Sequence, residues 1–266
     1  MAYIFTHDEQ TERDRLASIE AALDPHTIGF LEQIGVQQGW RCLEVGAGGG
    51  SMAAWLCRRV GTNGRVVATD LQTKFLEALE LPNLEVRQHD ISTDDLDANA
   101  YDLVYSRKVL EHFADPRLAL NRMFRALRPG GALLIEDSDL VAMNHVTARD
   151  PELFERVYAE FISAMASAGF NPKLGRRLGD ELRRLGCERV EVHGRTTEWT
   201  AAGNHPGGAI YLKTTVRLRD RILERGNVSA EELDQYLADI QSDDFHAITG
   251  IHFAAWAHKP VPSQDR

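Results

Sequence analysis

Apolar positions in the first two thirds of the chain follow two alternating rhythms. The short runs "RCLEV", "GRVVATD", "LEVRQHD", "YDLVYS" and "GALLIED" are rich in aliphatic and β-branched residues and have the length of strands. Between most of them lie "SMAAWLCRRV", "TKFLEALEL" and "PRLALNRMFRAL", whose apolar residues recur every three or four positions, the period of a helix with one buried face. Repetition of strand, helix and strand builds a parallel sheet with helices on both faces. "GTNGR" before the second strand and "RPGG" before the fifth supply Gly and Pro where a helix stops and the chain reverses.

Two helical stretches interrupt this pattern. Asp150 followed by Pro151 predicts an N-cap with proline at the first helical position, and Leu153, Phe154, Val157, Phe161, Ile162 and Met165 then recur at helical spacing until Gly169. Further on, "LGDELRRLGCERVEVH" reads as helix then strand, and Ser229 with Glu232 predicts a capping box opening "AEELDQYLADIQ". The alternating "HAITGIHFAAWAHKP" reads as a last strand over 244–259, and "PVPSQDR" as a frayed tail.

The 266 residues, 43% hydrophobic, suffice for a globular protein with a sizeable core. A formal net charge of −10 sets a repulsive field against nucleic acid. Arg176, Arg177, Arg183 and Arg184 are scattered round a helix among acids and read as a solvated face. "MAYIFTHDEQTERDR" carries charges where a signal peptide needs an apolar core, and no run of roughly 18 apolar residues occurs, so the expectation is a cytoplasmic protein that does not insert into a membrane. Cys42, Cys57 and Cys187 are far apart and lack metal-ligand spacing, which predicts reduced thiols, no disulfide and no metal.

The densest chemical signal is "CLEVGAGGGS", Cys42–Ser51. Glycines directly after a strand let the backbone turn sharply and approach a ligand, and the helix that follows offers unpaired N–H groups. Alone, this also suits a nicotinamide-dependent oxidoreductase, although Ser51 stands where that fingerprint takes Gly or Ala. Asp70 ends the second strand, where a carboxylate accepts hydrogen bonds from ribose hydroxyls, and Asp90 ends the third, within reach of an adenine edge. Both point to an adenosine ligand, and each also suits a cap for the following helix. A nicotinamide cofactor explains Asp70 but gives no reason for Glu44 or Asp90.

At this point the chain resembles the class I S-adenosylmethionine-dependent methyltransferases. The matching elements are "LEVGAGGGS" (43–51), "VVATDL" (66–71), "RQHDI" (87–91), "YDLVYSRKVLEHFADP" (101–116) and "LRPGGALLIED" (127–137), and "FAAWAHKP" resembles the family's final strand. Among such enzymes the chain looks like the small-molecule branch that includes ubiquinone and menaquinone biosynthesis methyltransferases and tailoring enzymes of secondary metabolism. The resemblance implies an α/β, Rossmann-like fold with a seven-stranded, mostly parallel sheet, helices on both faces and an antiparallel last strand. The organisation expected is a single methyltransferase domain over 1–266, with an N-terminal helical cover at 1–39, a cofactor-binding core at 40–137, substrate-side helical insertions at 138–170 and 195–243, and the final strand at 244–259. By the same resemblance Gly46, Ala47 and Gly48 contact the methionine moiety of S-adenosylmethionine, Glu44 positions that loop or its amino group, and Asp70 holds the ribose. Leu71 would pack on adenine, Asp90 and the Ile91 backbone would meet its edge, and Ser106 and Arg107 would lie near the sulfonium.

Methyl transfer from a sulfonium is an in-line displacement with a good leaving group already in place, so the protein mainly aligns the acceptor and excludes water. His112, in "VLEHFADP", and Asp137 and Asp139, in "EDSD", are the candidates for acid–base or acceptor contact, since open α/β sheets place their sites at the carboxyl ends of strands. Tyr3, Phe5, Asn144, His145, Trp199 and Tyr211 lie in the covering segments, where they suit either an apolar acceptor pocket or packing of those segments. The expected partner is therefore a small, apolar or aromatic acceptor. Amino-methylating enzymes of the family acting on adenine bases or protein glutamine carry an Asn- or Asp-Pro-Pro-aromatic sequence where this chain reads "YSRK". A protein that binds the cofactor without transferring methyl would share every binding motif and stays open at this stage, as does a homodimer formed through the insertion helices.

Overall fold

A computed structural model describes residues 9–142, 145–201, 206–248 and 250–262. In chain order the elements are α1 Glu9–Ile34, β1 Arg41–Val45, α2 Ser51–Val60, β2 Arg65–Asp70, α3 Lys74–Glu77, β3 Leu84–Gln88 and β4 Tyr101–Arg107. They continue with α4 Arg117–Ala126, β5 Leu127–Asp139, β6 His145–Thr147, α5 Pro151–Ser167, α6 Leu178–Arg184, β7 Glu188–Arg195 and β8 Glu198–Thr200. Helices α7 Pro206–Arg217, α8 Arg219–Glu224 and α9 Ala230–Asp239 precede β9 His246–Ile248 and β10 Ile251–His258. The chain divides into two units, one of Met1–Leu23, Asp139–Lys173 and Arg195–His252, the other of Asp24–Ser138, Leu174–Gly194 and Phe253–Arg266.

The second unit holds the seven-stranded sheet, in the order β3-β2-β1-β4-β5-β10-β7. Strands β1 to β5 pair in parallel, and β10 runs back against β5, where Gly130 N–H donates to Lys259 O (2.8 Å) and Lys259 N–H to Gly131 O (2.9 Å). Alternation along the strands explains why both faces are covered. Leu43, Val45, Val67, Val104, Leu133 and Ile135 point to one side, where they pack with Ala119, Leu120 and Met123 of α4 and Leu178 and Leu182 of α6. Cys42, Val66, Ala68, Leu103, Tyr105 and Leu134 point to the other, onto Leu31 of α1 and Met52, Ala53 and Leu56 of α2.

The first unit carries its own apolar core, built from Leu153, Phe154, Val157 and Phe161 of α5 with Ile222, Leu233, Tyr236 and Phe245. Helix α5 starts as its sequence predicts: the Asp150 carboxylate accepts from Leu153 N–H at 2.9 Å, with Pro151 at the first position. Helix α9 opens on the capping box, Glu232 N–H donating to Ser229 Oγ (3.1 Å) and Ser229 N–H to Glu232 Oε2 (2.9 Å). Helices are not the only elements here, because β6, β9 and β8 form a small antiparallel sheet in that order. The segment expected as one final strand over 244–259 is consequently two strands in two sheets. Its break falls at Gly250, where a Cβ would lie 2.4 Å from Asp139 O, so only glycine lets the two backbones pass this closely. Helix α3 is also shorter than its pattern predicts, a single turn over Lys74–Glu77.

Candidate functional site

Beyond Val45 the chain turns at once, with Gly46 (φ +73°), Gly48 (φ +55°) and Gly50 (φ +84°) all in the left-handed region. The turn folds back on the end of β2: Gly46 and Ala47 N–H both donate to Thr69 O (2.8 and 3.0 Å), and Gly48 N–H donates to Asp70 Oδ2 at 2.9 Å. Asp70 Oδ1 accepts from Gln72 N–H at 3.0 Å, so this carboxylate organises the loops on both sides of it. Glu44 is buried on β1, in register with Ala68 of β2 and Tyr105 of β4. Helix α2 then begins at Ser51 with no side chain capping its first turn. The structure thus gathers Glu44, Gly46, Ala47, Gly48 and Asp70 at one end of the sheet.

Neighbouring strand ends bring the next candidates alongside. Leu71 leaves its side chain 41% exposed immediately after Asp70, and His89 N–H donates to Asp70 O at 2.9 Å, which sets Asp90 beside it. Asp90 Oδ1 accepts from Ser92 N–H (2.8 Å) and Ser92 Oγ (2.6 Å), while Ile91 is buried and its carbonyl accepts from Arg122 Nη1 at 3.0 Å. Ser106 pairs in register with Val45, and its buried Oγ has no hydrogen-bond partner among the described residues. The Arg107 guanidinium donates to Thr27 Oγ1 (2.9 Å) and Asp24 Oδ1 (2.7 Å), tying the latter half of α1 to the end of β4. Burial works against that charge, but Tyr105, Glu136 and Asp24 outweigh it and keep Arg107 firmly protonated.

Two residues that sequence reasoning missed, Lys108 and Glu111, surround Asp137. Lys108 Nζ contacts Glu111 Oε1 at 2.5 Å and donates to Ser138 Oγ at 2.7 Å. The buried Glu111 also accepts from Ser138 N–H through Oε2 (2.9 Å), and its own N–H donates to Asp137 Oδ1 at 3.4 Å. Burial pushes Glu111 up, yet Lys108, His112 and the Ser138 N–H more than offset that and hold it below the ordinary carboxylate range. Asp137, fully buried, goes the other way: burial first, then the negative charge of Glu111, raise it well above that range. Below the unfolded-state value, about pH 4, wild type and Asp137→Asn lose nothing to ionisation; as pH rises toward the raised folded value, only the wild type gives up stability. Thermal melts across pH 4 to 8 are expected to show Asp137→Asn gaining stability relative to wild type as pH rises, and parallel curves would contradict the neutral carboxyl.

His112 closes a 3₁₀ turn, Leu110–His112, beside this cluster. Asp139 is buried, with Oδ1 accepting from Val141 N–H at 3.1 Å. Trp199 is buried in the core of the first unit and the partly buried Tyr211 packs against it, their rings 5.5 Å apart, with Phe245 5.2 Å from Trp199 and the Tyr211 hydroxyl against that of Tyr236. Their ring surfaces are used in packing that unit. Tyr3, Phe5 and Asn144 lie outside the described residues, and His145 is described only by its backbone, paired with Ile248. Among the described residues no cluster of His, Cys, Asp or Glu could hold a metal ion, and no helix is long and apolar enough to cross a membrane.

Residues 43–135, from β1 through most of β5, match the family described as "Methyltransferase domain". The ubiquinone biosynthesis O-methyltransferase of Paracidovorax citrulli is 32% identical over 117 residues, 41% of this chain and 48% of that protein. Phosphoethanolamine N-methyltransferase 1 of Arabidopsis thaliana is 23% identical over 230 residues, 84% of this chain and 40% of that protein. The chain therefore spans less than half the length of either relative. Among solved structures, Haemonchus contortus phosphoethanolamine N-methyltransferase 2 in complex with S-adenosyl-L-methionine superposes with a TM-score of 0.54 at 22% identity, covering 88% of this chain and 52% of that one, a likeness of fold. The domain match lies over the strands that carry the glycine loop and Asp70, so the part of the chain that holds this site is similar to a methyltransferase domain.

Proposed function

We propose that this protein is an enzyme that uses S-adenosylmethionine to methylate a small acceptor, apolar or aromatic in class. The observation that carries the reading is the loop after β1, folded onto β2 by hydrogen bonds from Gly46, Ala47 and Gly48 to Thr69 and Asp70. The residues fit the cofactor chemically. An apolar Leu71 stands exposed beside a carboxylate at a strand end, and the buried Ser106 Oγ lacks a partner among the described residues. Bound there, the cofactor supplies an activated methyl group and its own leaving group. In this reading Asp70 holds the ribose hydroxyls, Leu71 packs on the adenine, Asp90 and Ile91 meet its edge, and Glu44 with the Gly46–Gly48 backbone holds the methionine end. His112, Asp137 and Asp139 stand on the acceptor side, and Arg107 secures α1 through Asp24 and Thr27. The ubiquinone-pathway relative supports a hydroxylated aromatic acceptor, and the phosphoethanolamine relative makes an amine the competing class.

Calorimetric titration with S-adenosylmethionine and S-adenosylhomocysteine, with NAD as control, tests the cofactor. The expected result is a Kd in the micromolar range, about −8 kcal/mol, for the two sulfur compounds and no heat with NAD. Incubation with S-adenosylmethionine and either a catechol or phosphoethanolamine, followed by mass spectrometry, then separates the acceptor classes; binding without any methylated product favours a protein that holds the cofactor but transfers nothing. Asp70→Ala is expected to weaken S-adenosylhomocysteine binding by about 1.5–3 kcal/mol while cooperative unfolding is retained. An unchanged Kd would remove Asp70 from the site.

A further inference from the structure

Strands β4 and β5 lie in parallel register, Ser106 opposite Ile135 and Arg107 opposite Glu136. Immediately past this pairing the chain does something that needs explanation. Lys108 adopts φ +59°, a left-handed conformation disfavoured for a lysine, while its N–H donates to Glu136 O at 2.8 Å. The contorted turn delivers Val109 against Gly46 of the glycine loop and Glu111 against the end of β5. One ammonium then faces two buried carboxyls, with Glu136 also acting on Asp137 and His112 also acting on Glu111. Glu111 takes the charge, because it holds both the Lys108 contact and the Ser138 N–H. Asp137 is left with Oδ1 accepting from Glu111 N–H and with Oδ2 buried and without a partner among the described residues. A buried polar atom in that state is costly unless a bound molecule completes it.

We propose that Lys108 and Glu111 form a clamp that presents the Asp137 carboxyl as a hydrogen-bond donor to the methyl acceptor. Asp137 lies at the carboxyl end of β5, the edge at which open α/β sheets bind their ligands. Lys108 and Glu111 are positioning residues: they act through Asp137. The proposal rests on the methyltransferase reading for its acceptor, but the state of Asp137 is measurable without one.

Infrared difference spectra of wild type against Asp137→Asn at pH 7 are expected to show the carbonyl stretch of a protonated carboxylic acid that the variant lacks. Glu111→Gln frees the Lys108 ammonium to pair with Asp137, so the pH at which that band disappears is expected to fall by about one unit or more. Lys108→Met leaves two carboxyls without a counter-ion, and the midpoint is expected to rise. Opposite shifts would establish that Lys108 and Glu111 set the charge state of Asp137, and kinetics with an acceptor separate presentation to that acceptor from a role in structure alone. Absence of the band in folded wild type, or shifts of the same sign in both variants, would overturn the proposal whatever S-adenosylhomocysteine does. With an acceptor from the mass-spectrometric screen, Asp137→Asn, which still donates, is expected to keep kcat/KM within about tenfold of wild type while Asp137→Ala loses more than that. Complete loss in both variants would assign a carboxylate base and refute the donor. If S-adenosylhomocysteine fails to bind wild type, the methyltransferase reading falls and the acceptor role with it, even where the band is present.

Discussion

Glu111→Ala is expected to lower the free energy of unfolding by about 3–5 kcal/mol, the range found when one partner of a buried ion pair is deleted. The side chain is 2% exposed and satisfies two groups at once, the Lys108 ammonium and the Ser138 N–H. Its loss leaves that N–H buried without an acceptor and strands a cation beside β5. One factor limits the damage: the Lys108 side chain is 21% exposed and can turn toward water, which places the expectation near the lower end of the range. Glu111→Gln keeps an acceptor for Ser138 N–H and is expected to lose less. Urea denaturation of the three proteins measures the difference. A Glu111→Ala loss under about 1 kcal/mol would show that the turn after β4 is held by other contacts.

Much of the sheet was legible because its signals are local. The alternation in "LEV", "VVAT" and "LVYS", with glycines at the turns, sends successive residues to two helical layers, and the glycine loop and Asp70 sit next to one another through a single strand pairing. The caps of α5 and α9 are likewise written within four residues. What escaped reading was long-range. Strands β6, β8 and β9 are three residues each, too short for a period to show, and exist only because 145–147, 198–200 and 246–248 meet. The run over 244–259 looks continuous because its apolar alternation does not reveal that Phe245 and Ala247 serve the core of one unit while Ala255 and Ala257 serve that of the other. Lys108 and Glu111 look like ordinary charges at the start of a helix, and their partner Ser138 is brought to them by the β4–β5 pairing. Arg107 is similar: its motif suggested the sulfonium, and nothing local reveals that Asp24 and Thr27 hold its guanidinium.

Gly46→Ala is expected to destabilise the fold by about 2–5 kcal/mol and to abolish S-adenosylhomocysteine binding. Two separable terms make up that figure. A residue with a Cβ at φ +73° is strained by about 1–2 kcal/mol whatever surrounds it. The added methyl would also lie 2.2 Å from Val109 Cγ2, an overlap that must be relieved by movement, at about 1–3 kcal/mol. Val109 is poorly placed to yield, since it is β-branched and its neighbours Lys108 and Glu111 are fastened to β5. The loop must therefore give way, and Gly46, Ala47 and Gly48 would lose the shared geometry of their bonds to Thr69 and Asp70. Gly35 supplies the calibration: it has φ +87° and nothing within 4 Å of where its Cβ would stand, so Gly35→Ala carries the strain without the overlap. The difference between the two variants in urea denaturation reads the overlap alone, and Val109→Ala combined with Gly46→Ala should recover most of it. If Gly46→Ala costs no more than Gly35→Ala and still binds S-adenosylhomocysteine, the turn after β4 does not brace the glycine loop, and the link from Glu111 through Val109 to the proposed cofactor site is broken at that contact.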